Sequence, residues 1–286
     1  MLSDSEKWPP SLAEMVKEVD LRSYRGGQVE TRLDRVVSEE PLELQVNGRS
    51  IAVLMRTPGD DYDLVSGFLV TEQVVRCWED VRSVRHCTEV SSPEALDNVV
   101  RVLLRSGVEL DMDRLSRHFF GSSSCGVCGK ATLEQLKLVA EPLRDTVMIT
   151  RSGLFEMMKA LESTQRAFKA TGGLHGAALF TCGGEHRVTR EDVGRHNAVD
   201  KVIGWSRRSW GGEPDNEVLV VSGRVSFEIV QKALIARIPI IVAVSAPSSL
   251  AIETAQAYNM TLVGFVRGES FNIYSGGHRF IERSLR

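Results

Sequence analysis

The chain has 286 residues, 42% hydrophobic and 26% charged, with a formal net charge of −3. That length allows two domains or one large one, and the composition is that of an ordinary soluble globular protein. The charge excludes any global attraction to nucleic acid or anionic lipid, so an anion site has to be local.

The start, Met1 to Lys7, has neither a basic lead nor an apolar core and does not read as a signal peptide. The longest apolar run, Ile238 to Val244, is too short to span a bilayer. Five cysteines, odd in number and widely spaced, point to a reducing cytoplasm, where a close pair is more often catalytic or metal-binding than structural.

Residues 1–25 are polar, carry Pro9-Pro10 and read as a flexible arm. Residues 26–115 read as a small α+β domain. Leu42 to Val46 is a strand, Asn47-Gly48 a tight hairpin turn, and Ile51 to Met55 the returning strand. Asp60 or Asp61 caps a helix running to about Thr71, with Leu64, Val65, Phe68 and Leu69 on its apolar face. Val84 and the run Val100 to Leu104 predict further strands. Cys77 and Cys87 read as half-buried residues rather than ligands.

Residues 116–130 hold the most distinctive stretch, Ser122-Ser123-Ser124-Cys125-Gly126-Val127-Cys128-Gly129-Lys130. Two thiols sit three positions apart among small residues that cannot pack a core. The stretch reads as a mobile surface loop, with Arg117, His118 and Lys130 supplying a positive field that favours thiolate. Such a pair serves dithiol redox chemistry, half a zinc site, or a sulfur-handling cysteine with a neighbour. Structural zinc needs four ligands. Cys77, Cys87, Cys182 or a histidine would have to complete the set.

The rest, 131–286, alternates helices and apolar strands. Helices are predicted over Ala131 to Val139 and Leu154 to Ala170, the latter with Leu154, Met157, Met158, Leu161 and Phe168 near one face. His175 sits among glycines and alanines ahead of an apolar strand. The densest polar cluster runs from Arg190 to Lys201, and Arg195, His196 and Asn197 in it are good phosphate and base partners. Three strands follow, near Val218, Ile240 and Thr261, each apolar throughout and separated by helices, the pattern of a parallel sheet covered on both faces. Their polar turns, at 222–226, 245–249 and 266–270, fall at the carboxyl ends of the strands, where open α/β sheets bind ligands. Ser222, Gly223, Arg224, Ser226, Ser248, Ser249, Arg267 and Ser270 are expected to converge on a crevice for a phosphate-bearing ligand, a nucleotide by preference. No Walker-type or Gly-x-Gly-x-x-Gly fingerprint is present.

Five ordered motifs carry a resemblance over almost the whole chain. They are Ser-Ser-Cys-Gly-x-Cys-Gly at 123–129, Thr-Gly-Gly-x-His-Gly-Ala-Ala at 171–178, Glu-Asp-Val-Gly-Arg-His-Asn-Ala-Val-Asp-Lys at 191–201, Ser-Gly-Arg-Val-Ser at 222–226, and Phe-Val-Arg-Gly-Glu-Ser-Phe-Asn-Ile-Tyr at 265–274. The chain resembles the formate dehydrogenase accessory sulfurtransferase family, FdhD. The resemblance implies an α/β protein whose main domain has a cytidine deaminase-like α/β/α fold, with a smaller N-terminal α+β domain. It implies a cytoplasmic homodimer that takes persulfide sulfur from a cysteine desulfurase. The sulfur goes to the molybdenum cofactor, bis(molybdopterin guanine dinucleotide), before that cofactor enters formate dehydrogenase. Cys125 would carry the persulfide and Cys128 assist it. The cofactor segment maps to Phe265, Val266, Arg267, Gly268, Glu269 and Ser270. Ser222, Gly223, Arg224, His175, Arg195 and His196 complete the expected cofactor site, for which a guanine nucleotide would be a partial mimic. His175 precedes Gly-Ala rather than the Ala-Glu of a deaminase zinc site, so deamination is not expected. A zinc-stapled nucleotide-binding module and a dithiol oxidoreductase are the competing functions.

Overall fold

A computed structural model describes residues 10–87, 97–108, 110, 140–144, 147–209 and 216–281. Residues 10–25, expected as part of a loose arm, instead form helix α1 (Pro10–Met15) and strand β1 (Val16–Arg25). Strand β1 pairs antiparallel with β2 (Gln28–Val37) in a two-stranded ribbon. Gly26 and Gly27 turn it with φ of +56° and +87°, the double positive φ that a two-residue hairpin needs and that glycine takes without strain.

The N-terminal part holds a four-stranded sheet in the order β4-β3-β6-β5. Its strands are β3 (Glu40–Val46), β4 (Arg49–Arg56), β5 (Val81–His86) and β6 (Val99–Leu104). The Asn47-Gly48 turn joins β3 to β4, both residues at positive φ. Helix α2 (Asp61–Thr71) covers one face and buries Leu64, Val65, Phe68 and Leu69 against Leu42, Leu44, Val100 and Val102. Asp60 precedes the helix in the left-handed conformation and makes no side-chain cap, so its expected capping role does not hold.

The larger part is a six-stranded mixed sheet in the order β13-β12-β11-β10-β8-β9. After the short β7 (Ile149–Thr150), helix α3 (Arg151–Thr164) packs Leu154, Met157 and Leu161 against Val218, Val220, Val242 and Val263 on one face. Helix α4 (Arg166–Thr171) leads into β8 (His175–Thr181) and β9 (His186–Asp192), and then α5 (Arg195–Ser209). From there β10 (Glu217–Val221), α6 (Phe227–Ile235), β11 (Ile240–Ala243), α7 (Ser249–Ala257) and β12 (Thr261–Arg267) alternate. The hairpin partner β13 (Ser270–Ser275) and the short β14 (Phe280–Ile281) follow. Helices α5, α6 and α7 bury their apolar faces against Leu219, Val221, Ile241 and Leu262 on the opposite face from α3. Alternate residues of each strand thus feed two separate cores.

The sheet is parallel only across β10, β11 and β12. Strands β8 and β13 flank them antiparallel, so the three strands expected to be parallel are parallel within a sheet that is mixed as a whole. The continuous helix expected over 154–170 is also interrupted. It breaks at Gln165, because the buried Glu191 carboxylate accepts from the N–H groups of Ala167 (2.9 Å) and Phe168 (2.7 Å) and so opens a new helix start. Phe168, placed by periodicity on the buried face, is exposed as a result. The helix expected at 131–139 lies outside the described residues.

Candidate binding crevice

Strand β8 starts where β10 ends, since Ala177 is registered opposite Val221. This antiparallel step carries His175 to the carboxyl ends of the parallel strands. Ser222 fixes the junction. Its N–H donates to the Gly176 carbonyl (2.9 Å), and its Oγ accepts from the Gly176 N–H (2.9 Å). Gly223 lies directly against the His175 ring. A Cβ there would stand 3.2 Å from His175 Nδ1 and 3.9 Å from the Arg195 Cβ, so glycine allows the close approach. Strand β9 ends one turn before α5, and that turn delivers Arg195 and His196 to the same place.

The turns after β10 and β11 are laced together. Val225 N–H donates to the Ala246 carbonyl (3.1 Å) and Ser248 N–H to the Val225 carbonyl (2.9 Å). Ser248 Oγ caps α7 by accepting from the Ala251 N–H (3.2 Å). His196 Nε2 lies 3.4 Å from Ser226 Oγ and 4.0 Å from Glu228 Oε2. Glu228 was not singled out from the sequence, although a carboxylate in the first turn of a helix behind a polar loop was the available signal.

The electrostatics are cationic. Burial pushes the His175 pKa down, and the Arg195 and Arg224 guanidinium groups push it further. Burial takes His196 down to about 4, with Arg195 and Lys232 adding to it. Both rings are therefore neutral at pH 7. Arg195 Nε is buried without a hydrogen-bond partner, whereas Arg224 is exposed. Neutral imidazoles and two guanidinium groups form a place for an anionic group with hydrogen-bonding edges, while the Glu228 carboxylate occupies the first turn of α6 beside them.

The remaining residues of the polar cluster do something else. Lys201 and Asp192 form a fully buried pair (2.8 Å). Lys201 Nζ also donates to the Thr57 carbonyl (2.9 Å), and Thr57 N–H donates to Asp192 Oδ2 (3.1 Å). Asn197 Nδ2 donates to the Met55 carbonyl (2.8 Å) and to Asp192 Oδ1 (2.9 Å). Asp200 accepts from Thr71 Oγ1 (2.7 Å) and from Lys232 (2.9 Å). Burial pushes the Asp200 carboxyl up to about 6, with the Lys232 ammonium working against that shift. Arg190 and Arg208 both grip Asp63 (2.8 and 2.6 Å). These groups form a polar seam that ties the N-terminal layer to α5. Asn197, read from sequence as a base partner, is committed to this seam.

Phe265 to Ser270 divides. Phe265 takes a positive φ of 53°, is 38% exposed, and donates its N–H to the Ser245 carbonyl (3.2 Å) beside the second turn. Val266 is turned away and buried in the α3-side core. Arg267, Gly268, Glu269 and Ser270 form the exposed β12–β13 hairpin tip, where Ser270 Oγ donates to the Arg267 carbonyl (3.0 Å). Among the described residues this tip shares no hydrogen bond or ion pair with the His175–Arg224 group, and the third turn is tied instead to the second through Phe265.

Cys125 and Cys128 lie outside the described residues. Cys77 is exposed, Cys87 buried and Cys182 intermediate, all three as free thiols. Burial pushes the Cys182 thiol up to about 12, which makes it a poor nucleophile. Among the described residues no helix is long and apolar enough to cross a membrane.

Comparison with known proteins decides the family. The model of the FdhD/NarQ family matches residues 37–281. The chain belongs to the FdhD/NarQ family. Sulfur carrier protein FdhD of Streptomyces coelicolor is 46% identical over 264 residues, covering 91% of this chain and 94% of that one. Its namesake from Mycobacterium tuberculosis is 46% identical over 265 residues, covering 91% and 96%. Among solved structures, a candidate formate dehydrogenase accessory protein from Desulfotalea psychrophila shares the fold. Its TM-score is 0.75 at 24% identity, over 93% of this chain and all of the other.

Proposed function

We propose that this member of the FdhD/NarQ family is a cytoplasmic sulfur carrier serving formate dehydrogenase. The single observation that carries the reading is the crevice at the ends of β8 and β10. There His175, Arg195, His196, Ser222, Gly223 and Arg224 come together, with a buried and unpartnered Arg195 Nε among them. The strand order β9-β8-β10-β11-β12, with β8 antiparallel to β10 and the last three parallel, supports a cytidine deaminase-like main domain.

The substrate of this reading is molybdenum bis(molybdopterin guanine dinucleotide). Its phosphates would sit against Arg195 and Arg224, and its guanine edges near the neutral His175 and His196. Phe265 and the 267–270 tip would contact an outlying part of so extended a molecule. Cys125 thiolate attacks the outer sulfur of a desulfurase persulfide. The donor leaves as thiolate and Cys125 carries the persulfide. The terminal sulfur would then pass to the molybdenum of the bound substrate, which supplies the two electrons that make it sulfide, and Cys125 leaves as thiolate, with Cys128 assisting. Desulfurase, formate dehydrogenase and a second copy of the chain are the partners.

Intact mass measurement tests the carrier step after incubation with a cysteine desulfurase and cysteine. A gain of one sulfur, reversed by reductant and absent in Cys125→Ala, is expected. No gain in folded protein overturns the reading. One tightly held zinc per chain, lost on changing Cys128, would instead support the zinc-stapled module. A reversible Cys125–Cys128 disulfide with dithiol turnover would support the oxidoreductase.

A further inference from the structure

The β1–β2 ribbon plays no part in the crevice. Arg25 and Gln28 close its two-residue turn, so alternate residues Val29, Thr31 and Leu33 turn their backbone N–H and C=O away from β1. Among the described residues no backbone group pairs with these three. On the same face Tyr24, Val29 and Leu33 are 74%, 62% and 66% exposed. A lone two-stranded ribbon is marginal in water, and an open apolar edge is a template for another strand.

We infer that β2 pairs antiparallel with β2 of a second copy of this chain, about a two-fold axis at Leu33, to give the sheet β1-β2-β2′-β1′. The sequence of β2 selects that occupant. In this register Leu33 meets the partner's Leu33, Arg32 meets the partner's Asp34, and Thr31 meets the partner's Arg35. No like charges oppose one another from Val29 to Val37. Strand β1 is the poorer edge: centring it on its outward-facing Glu18, Asp20 or Arg22 places like charges on the axis, and centring it on Leu21, which does set Asp20 against the partner's Arg22, brings Lys17 opposite the partner's Arg25. Arg32 and Asp34 lie 4.0 Å apart within one chain and are about half exposed, which leaves both able to reach across. The inference supplies the surface for the two-copy assembly proposed above and rests on that part of the reading alone.

Sedimentation velocity on the full chain tests it. The wild type is expected as a dimer. Arg32→Asp alone and Asp34→Arg alone each face like charges twice across the axis, so each is expected as a monomer, with circular dichroism unchanged. An equimolar mixture of the two variants restores opposite charges at both crossings and is expected to recover the dimer, although both chains have lost the internal Arg32–Asp34 pair. Dimeric single variants, or a mixture that stays monomeric, overturn the β2–β2′ surface while leaving the sulfur reading intact. A monomeric wild type overturns the two-copy assembly as well. Sulfur loading of Cys125 is read separately and does not enter this result.

Discussion

The polar seam and the crevice are built from one stretch of sequence, yet they use charge in opposite ways. In the seam each charge is answered within the fold: Lys201 by Asp192, Lys232 by Asp200 and Glu72, Asp63 by Arg190 and Arg208. In the crevice, a few residues along the same helix, Arg195 keeps a buried Nε without a partner, and both histidines are held neutral by burial with the surrounding positive charge adding to it. Satisfied charge holds layers together; unsatisfied charge is available to something that is not part of the chain. Variants of the two regions should therefore separate stability from ligand binding.

The largest effect is expected at the seam. Lys201→Met leaves Asp192 buried without its cation and should cost about 3–5 kcal/mol, read by urea unfolding. Lys201→Met together with Asp192→Leu should recover part of that loss, and no recovery would argue against the pair as its source. Next comes the crossing of α2 and α5. The backbones approach so closely at Gly67 and Gly204 that a Cβ at either would collide with the facing carbonyl of Asp200 or Asp63. Gly204→Ala should cost about 3 kcal/mol or more in the same assay.

Crevice variants should leave the unfolding midpoint in place. Arg224→Ala is expected to weaken GDP binding about tenfold in isothermal titration, roughly 1.4 kcal/mol. Arg49→Ala, on the exposed start of β4, should leave it unchanged. Equal affinities would place the nucleotide elsewhere.

A further test is a pH dependence. His196 titrates at about 4 in the folded chain, against an ordinary value near 6.5. As pH falls below about 6.5 the unfolded chain takes up a proton that the folded chain refuses, so this stabilising contribution is present above that range and lost on the way down to about 4. Arg195→Gln removes a cationic neighbour and should raise the His196 midpoint in an NMR titration of the imidazole protons. An unmoved midpoint would mean that burial alone holds the ring neutral.

Much of this was legible in residue order. Runs such as Val218 to Val221 and Ile240 to Ala243 are apolar at every position because both sheet faces are covered, and that needs no tertiary knowledge. Asn47-Gly48 declared its hairpin because few residues tolerate its dihedral angles. The grouping of His175 with Gly223 and Arg224 was legible only as a list of suspects, since nothing local says that β8 runs antiparallel to β10. The assignment of Asn197 failed for the same reason. A polar side chain near a helix start looks alike whether it faces a ligand or the Met55 carbonyl more than a hundred residues away.

The sequence by itself determined the elements, the two-sided burial of the central strands and the motifs that mark the family, because backbone preference and hydrophobic period act over a few residues. Only the tertiary structure decided which charges of 190–201 are spent on holding the layers together, where the long helix breaks at Gln165, and that residues 16–37 fold back as an open-edged ribbon. Those outcomes depend on partners distant in the chain: a carboxylate from β9, a carbonyl from β4, a facing helix backbone. The free energy of a buried polar group is set by what stands opposite it, and that is a property of the fold rather than of the neighbouring residues.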